Sequence, residues 1–185
     1  MFIAQQKRKE NIAEYVLYMW QLEDLIRAYK LDIESIAENV INKMAYGEDE
    51  KAQIRDWYES LIEMMRLEGV QEKGHLQLVK NTVSDVTDLH YALLKSPKYP
   101  GYSALFYQTL PVIGAFRQRQ DNPDAEDIEL CFVFLYGVLL LRLQQREISQ
   151  DTRIALTQIS KLLALLSHNY KLYLNSELEL DEPEL

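Results

Sequence analysis

Apolar residues recur at three- and four-residue spacing in almost every window of this chain, and no stretch ahead of its C-terminal end alternates with a period of two. That spacing lays apolar side chains along one face of a helix, whereas a half-buried strand needs strict alternation. Six glycines and five prolines in 185 residues leave few interruptions. The pattern predicts an all-α fold: a single-domain helical bundle of about seven helices with short loops over residues 1–174, followed by an acidic C-terminal tail over 175–185.

The first helix is predicted over about residues 5–29. Ile12, Tyr15, Val16, Met19, Leu22 and Ile26 share one face, and further apolar residues outside that stripe mark the helix as central. The second, about 33–45, starts at Asp32 as N-cap, and the third, about 50–68, closes at Gly69. The fourth, about 72–95, carries the stripe Leu76, Val79, Val83, Val86, His90 and Leu93. Pro97, Pro100 and Gly101 place a loop over 96–102, with Ser103 as the cap of a fifth helix to about residue 120 that Pro111 should kink or divide. Asn122 and Pro123 open the sixth, whose run Leu130 to Leu141 holds no charge yet is too short to span a bilayer. Ser149 caps the seventh, about 150–174.

Composition excludes several function classes. The net charge is −9, five acidic residues lie in 177–185, and residues 1–176 still carry −4, which argues against a nucleic-acid binder built on Lys7, Arg8, Lys9, Arg117 and Arg119. One cysteine, Cys131, permits neither an internal disulfide nor a cysteine-based zinc site, and a reducing cytoplasm suits it. The N-terminus reads as the start of an amphipathic helix rather than a secretory leader. No two glycines stand closer than five positions, so dinucleotide-binding and P-loop patterns are absent. Glu72 and His75 form one Glu-x-x-His unit, but a di-iron bundle needs a second, and the pair reads instead as an exposed helix start. No metal and no cofactor is expected, and no catalytic residue is assigned.

Two anomalies remain. Glu23 falls within the apolar face of the first helix, one turn from Trp20 and from Arg27. An intrahelical Glu23–Arg27 pair is the plainer explanation; the alternative is a polar pocket offering a carboxylate and a guanidinium to a ligand. His90 stands in the apolar stripe of the fourth helix, either as a core histidine bonded to a neighbour or, if it meets Glu23, as part of an acid–base pair. Trp20, Glu23, Arg27 and His90 are therefore the candidate ligand-binding residues. Tyr99 and Tyr102, on the proline loop, are candidates for partner contact.

The stretch Lys7 to Tyr15, continuing through Tyr18-Met19-Trp20-Gln21 and Glu23 to Ala28, resembles an uncharacterised family of short bacterial proteins classed as a domain of unknown function. Glu68 to Gln77, Asp88-Leu89-His90 and Leu94 to Pro97 are similar to it as well. The resemblance implies a self-contained cytosolic helical protein and carries no activity to transfer. The expected function is a non-enzymatic helical interaction module that self-associates or binds a protein partner, because the first and sixth helices are apolar over more circumference than a thin bundle buries. The alternative is a small-ligand binder or enzyme with a polar pocket inside the bundle.

Overall fold

The computed structural model describes residues 1–122 and 124–180, and within them the fold is all-α and a single domain. The elements are α1 (Phe2–Glu10), α2 (Ile12–Ala28), α3 (Ile33–Asn39), a 3₁₀ turn (Ile41–Lys43), α4 (Glu48–Leu67), α5 (Gln77–Lys95), α6 (Pro100–Arg117), α7 (Asp127–Leu143) and α8 (Gln150–Leu174). The helices α2, α5, α7 and α8 each touch the other three and form a four-helix core, onto which α6 packs through α5, α7 and α8. The pair α3 and α4 pack together with the 3₁₀ turn. Among the described residues no helix is long and apolar enough to cross a membrane.

The predicted first helix is two. Asn11 takes an extended conformation (φ −153°), and its side chain accepts hydrogen bonds from the Ala13 and Glu14 amides, so it caps α2 and separates it from α1. Such a cap contributes about 1 kcal/mol, enough to set where the chain bends when both segments can pack. Val16 and Ile26 on α2 are fully buried, as the stripe requires.

Other boundaries move for similar local reasons. The second helix shortens to α3 and continues as the 3₁₀ turn. The segment 72–76 is not helical, so the fourth helix begins at Gln77 rather than near Glu72. Helix α6 starts at Pro100 instead of Ser103, with proline in its first turn, where the missing amide costs nothing. It runs undivided through Pro111, which is exposed. Helix α7 starts at Asp127 with Glu126 as N-cap; Asn122 instead accepts from the Asp124 amide in a turn, and Pro123 lies outside the described residues. Ser149 caps α8 as predicted, accepting from the Thr152 amide at 3.2 Å.

The uncharged run of α7 has α2, α5, α6 and α8 as neighbours. Ile128, Leu130, Cys131, Phe132, Phe134 and Val138 are buried, while Val133, Tyr136 and Leu140 are half-buried. The six described residues of the tail, 175–180, do not all stand off the bundle: Leu178 and Leu180 pack against the core, and the Glu179 carbonyl accepts a hydrogen bond from Tyr99. Asp181 to Leu185 lie outside the described residues.

Candidate functional site

Trp20, Glu23, Asp24 and Arg27 follow the spacing i, i+3, i+4, i+7 and share one face of α2. That face organises the segment 69–76, which joins α4 to α5. Gly69 (φ +69°) and Gly74 (φ +88°) turn the chain through left-handed conformations that side-chain-bearing residues rarely adopt. Against this segment α2 places a carboxylate, a guanidinium and an indole, each with a distinct task.

Glu23 is 1% exposed and does not pair with Arg27. Its Oε1 accepts the Leu76 amide at 2.9 Å and its Oε2 lies 2.6 Å from Nδ1 of His75. Leu76 is the N-cap residue of α5, whose own side chain can cap nothing. A buried carboxylate therefore does from α2 what a capping side chain usually does locally, at the positive end of the helix dipole. Glu68 assists, accepting the Gln77 amide at 2.6 Å.

Arg27 has other partners. Its guanidinium pairs with Asp24 at 2.9 Å and donates to the carbonyls of Val70 and Gly74, clamping the 69–76 segment to α2. Asp24 also accepts from the Tyr136 hydroxyl at 2.5 Å, tying α7 into the same network. Burial and the Asp24 bond both push the Tyr136 hydroxyl up, so it serves as a donor at physiological pH. The expected intrahelical Glu23–Arg27 pair is thus replaced by two long-range roles. Local spacing put them one turn apart, but the loop offers each a better partner.

His75 is not part of an exposed helix start. Its ring stacks on the Trp20 indole with centroids 4.3 Å apart and planes 14° from parallel, and the side chain remains 34% exposed. A carboxylate can only accept, so Nδ1 is the ring nitrogen that donates to Glu23, and Nε2 is left out of that bond. Among the described residues no hydrogen-bond partner engages Nε2. Trp20 is 4% exposed, and its Nε1–H finds no acceptor among the described residues.

Trp20 and His75 form one end of a cleft of about 390 Å³. One wall is a stripe of α5 at 80, 83, 84, 87, 88 and 91; the other comes from Glu126 and Glu129 at the start of α7. Tyr91 donates to Glu126 across the far end, and that bond, then burial, pushes the Tyr91 hydroxyl up to about 12. Periodicity reads the polar stripe of α5 as a solvated helix face. Only the approach of the α7 N-terminus makes it a cleft wall, so Lys80, Asp88, Glu126 and Glu129 carried no signal in the sequence.

His90 is elsewhere. It is 1% exposed, its Nδ1 lies 2.6 Å from the Tyr102 hydroxyl, and the rings of Tyr102 and Phe106 pack edge-on against it. Burial lowers its pKa to about 4, with Asp127 and Glu126 acting the other way, so it is a neutral core histidine. It lines neither the cleft nor the Glu23 network. Tyr102, expected at a partner surface, is buried as the partner of His90. Tyr99 touches the chain's own tail. Arg117 donates to the Ala125 carbonyl and pairs with Asp127 at 2.6 Å, holding the start of α7.

A family model described as a domain of unknown function (DUF4924) matches residues 1–177. The chain belongs to the DUF4924 family. No curated protein and no solved structure matches it. The DUF4924 match spans α1 through α8, so the cleft and the network beneath it lie wholly within the family's domain.

Proposed function

We propose that this chain is a small-molecule-binding protein whose ligand occupies the cleft between α5 and the start of α7. The observation that carries the reading is His75. The loop is already clamped by Arg27, and the α5 cap needs only the Glu23 carboxylate, yet an imidazole is stacked and bonded so that an uncommitted Nε2 stands at the cleft. A carboxylate that orients a histidine through Nδ1 leaves the other nitrogen set to accept a proton or a hydrogen bond. The volume falls in the range of small-ligand sites. The buried thiol of Cys131 supports a reducing cytoplasm as its setting.

The test is a protein-observed NMR screen of a polar fragment library on the wild type and on Ser84→Trp, which places an indole in the cleft from an exposed helix position. Fragments that bind should shift the Trp20 indole proton, leave that of Trp57 on α4 unmoved, and be lost in Ser84→Trp. Fragments that bind both proteins equally, or none that moves Trp20, would overturn the reading.

Self-association is a second reading, supported by Tyr107 and Leu110, exposed three residues apart on α6. Sedimentation equilibrium would show a dimer that Tyr107→Glu dissociates; a monomer at 100 micromolar, on the order of ~10⁻⁴ M, would set it aside.

A further inference from the structure

The cleft is electrically polarised along its length, and we propose that its ligand is an elongated zwitterion, with an anionic group at the Lys80–Trp20 end and an ammonium group at the Asp88–Glu126–Glu129 end. The inference rests on the small-molecule reading above and names the chemistry that the same cleft would select.

The order of charges follows from the helices. On α5, Lys80, Ser84 and Asp88 stand four residues apart on one stripe, so Lys80 and Asp88 are separated by eight residues, or roughly 12 Å of helix axis. His75 and Trp20 lie beside the first turn of α5, close to Lys80. Tyr91, in the last two turns, is bonded to Glu126. Helix α7 then runs back toward Trp20, whose indole meets Phe132 and Tyr136 edge-on. Glu126 and Glu129 therefore face the Asp88 half of the stripe.

Each end has groups left without a counter-charge. Lys80, Asp88 and Glu129 enter no ion pair among the described residues. At the Lys80 end the exposed lysine ammonium suits a carboxylate or similar anion, and Trp20, whose buried Nε1–H has no partner among the described residues, lines the same end. At the other end the available groups are carboxylates beside the Tyr91 ring, an arrangement that suits an ammonium ion by charge and by cation–π attraction. A ligand with one charge would leave the opposite end uncompensated, and a short zwitterion would reach only one end.

The probe is 8-aminooctanoate, whose charged ends stand roughly 10 Å apart when extended; octylamine and octanoate serve as the singly charged controls. Isothermal titration at low salt should give at least tenfold tighter binding for the zwitterion than for either control. Lys80→Met should reduce 8-aminooctanoate to the octylamine level, Asp88→Asn should weaken both amines, and Ser84→Trp should abolish all binding, with circular dichroism confirming that each variant keeps its helices. Equal binding of octylamine and 8-aminooctanoate, both lost in Ser84→Trp, would overturn the zwitterion and leave the small-molecule reading standing. No binding of any probe, or binding unaffected by Ser84→Trp, would overturn the zwitterion as well, and the fragment screen then decides the cleft separately.

Discussion

Replacing Glu23 tests the network that builds the site. Its carboxylate accepts two hydrogen bonds while 1% exposed, one from the Leu76 amide and one from His75 Nδ1. Hydrogen bonds to a charged group contribute about 1.5–3 kcal/mol each, and a buried donor left without a partner costs about 1–3 kcal/mol. Leu76 is fully buried, so Glu23→Ala strands its amide where water cannot replace the carboxylate, and a cavity adds to the loss. The expected destabilisation is about 3–5 kcal/mol, read as a shift in the urea unfolding midpoint. Glu23→Gln keeps the shape: the amide oxygen can still accept from Leu76, but its NH₂ must face Nδ1 of His75. That forces the proton to Nε2 and costs only about 1–2 kcal/mol, the loss of charge assistance. A long-range ¹H–¹⁵N spectrum distinguishes the two tautomers directly. The reasoning fails if Glu23→Ala costs under about 1 kcal/mol, or if His75 keeps its Nδ1 proton in Glu23→Gln.

Burial holds His90 at a pKa of about 4 against an ordinary 6.5, so between those values the unfolded chain takes up a proton that the folded chain refuses. Stability is then full above about pH 6.5 and falls as the pH drops toward 4, by about 2 kcal/mol at pH 5; urea midpoints at pH 7 and pH 5 should show the loss in the wild type, and its persistence undiminished in His90→Gln would contradict the assignment. Asn11→Ala should cost about 1 kcal/mol by removing the cap of α2, and Asn11→Asp should restore it; equal melting temperatures for all three proteins would mean that the cap is redundant. Pro111 is exposed within α6 and withholds an amide from the Tyr107 carbonyl, so Pro111→Ala should stabilise by about 1–3 kcal/mol, visible as a raised melting temperature, and a lowered one would show that the ring itself supports the packing.

What the sequence determined by itself is what short-range periodicity encodes. The apolar stripes on α2 and α5 needed no tertiary information, because a helix repeats every 3.6 residues whatever it packs against, and Ser149 and Asp32 cap their helices through atoms two to three residues away. Asn11 was legible on the same grounds, but the good helix formers before it, Gln5 to Glu10, read as a continuous lead-in to the apolar stripe and hid the break. Glu23 declared itself as a buried charge, while its partner did not. The cap of α5 is a carboxylate fifty-three residues upstream of Leu76, and the start of that helix was misplaced because the cap is not adjacent to it. His90 stood out by the same rule as Glu23, yet a neighbouring tyrosine from α6 absorbs it into the core. The cleft belongs wholly to the tertiary structure: the polar stripe of α5 would read as solvated on any isolated helix. It becomes one wall of a binding-sized cavity only because α7 returns antiparallel beside it and brings Glu126 and Glu129 opposite Asp88.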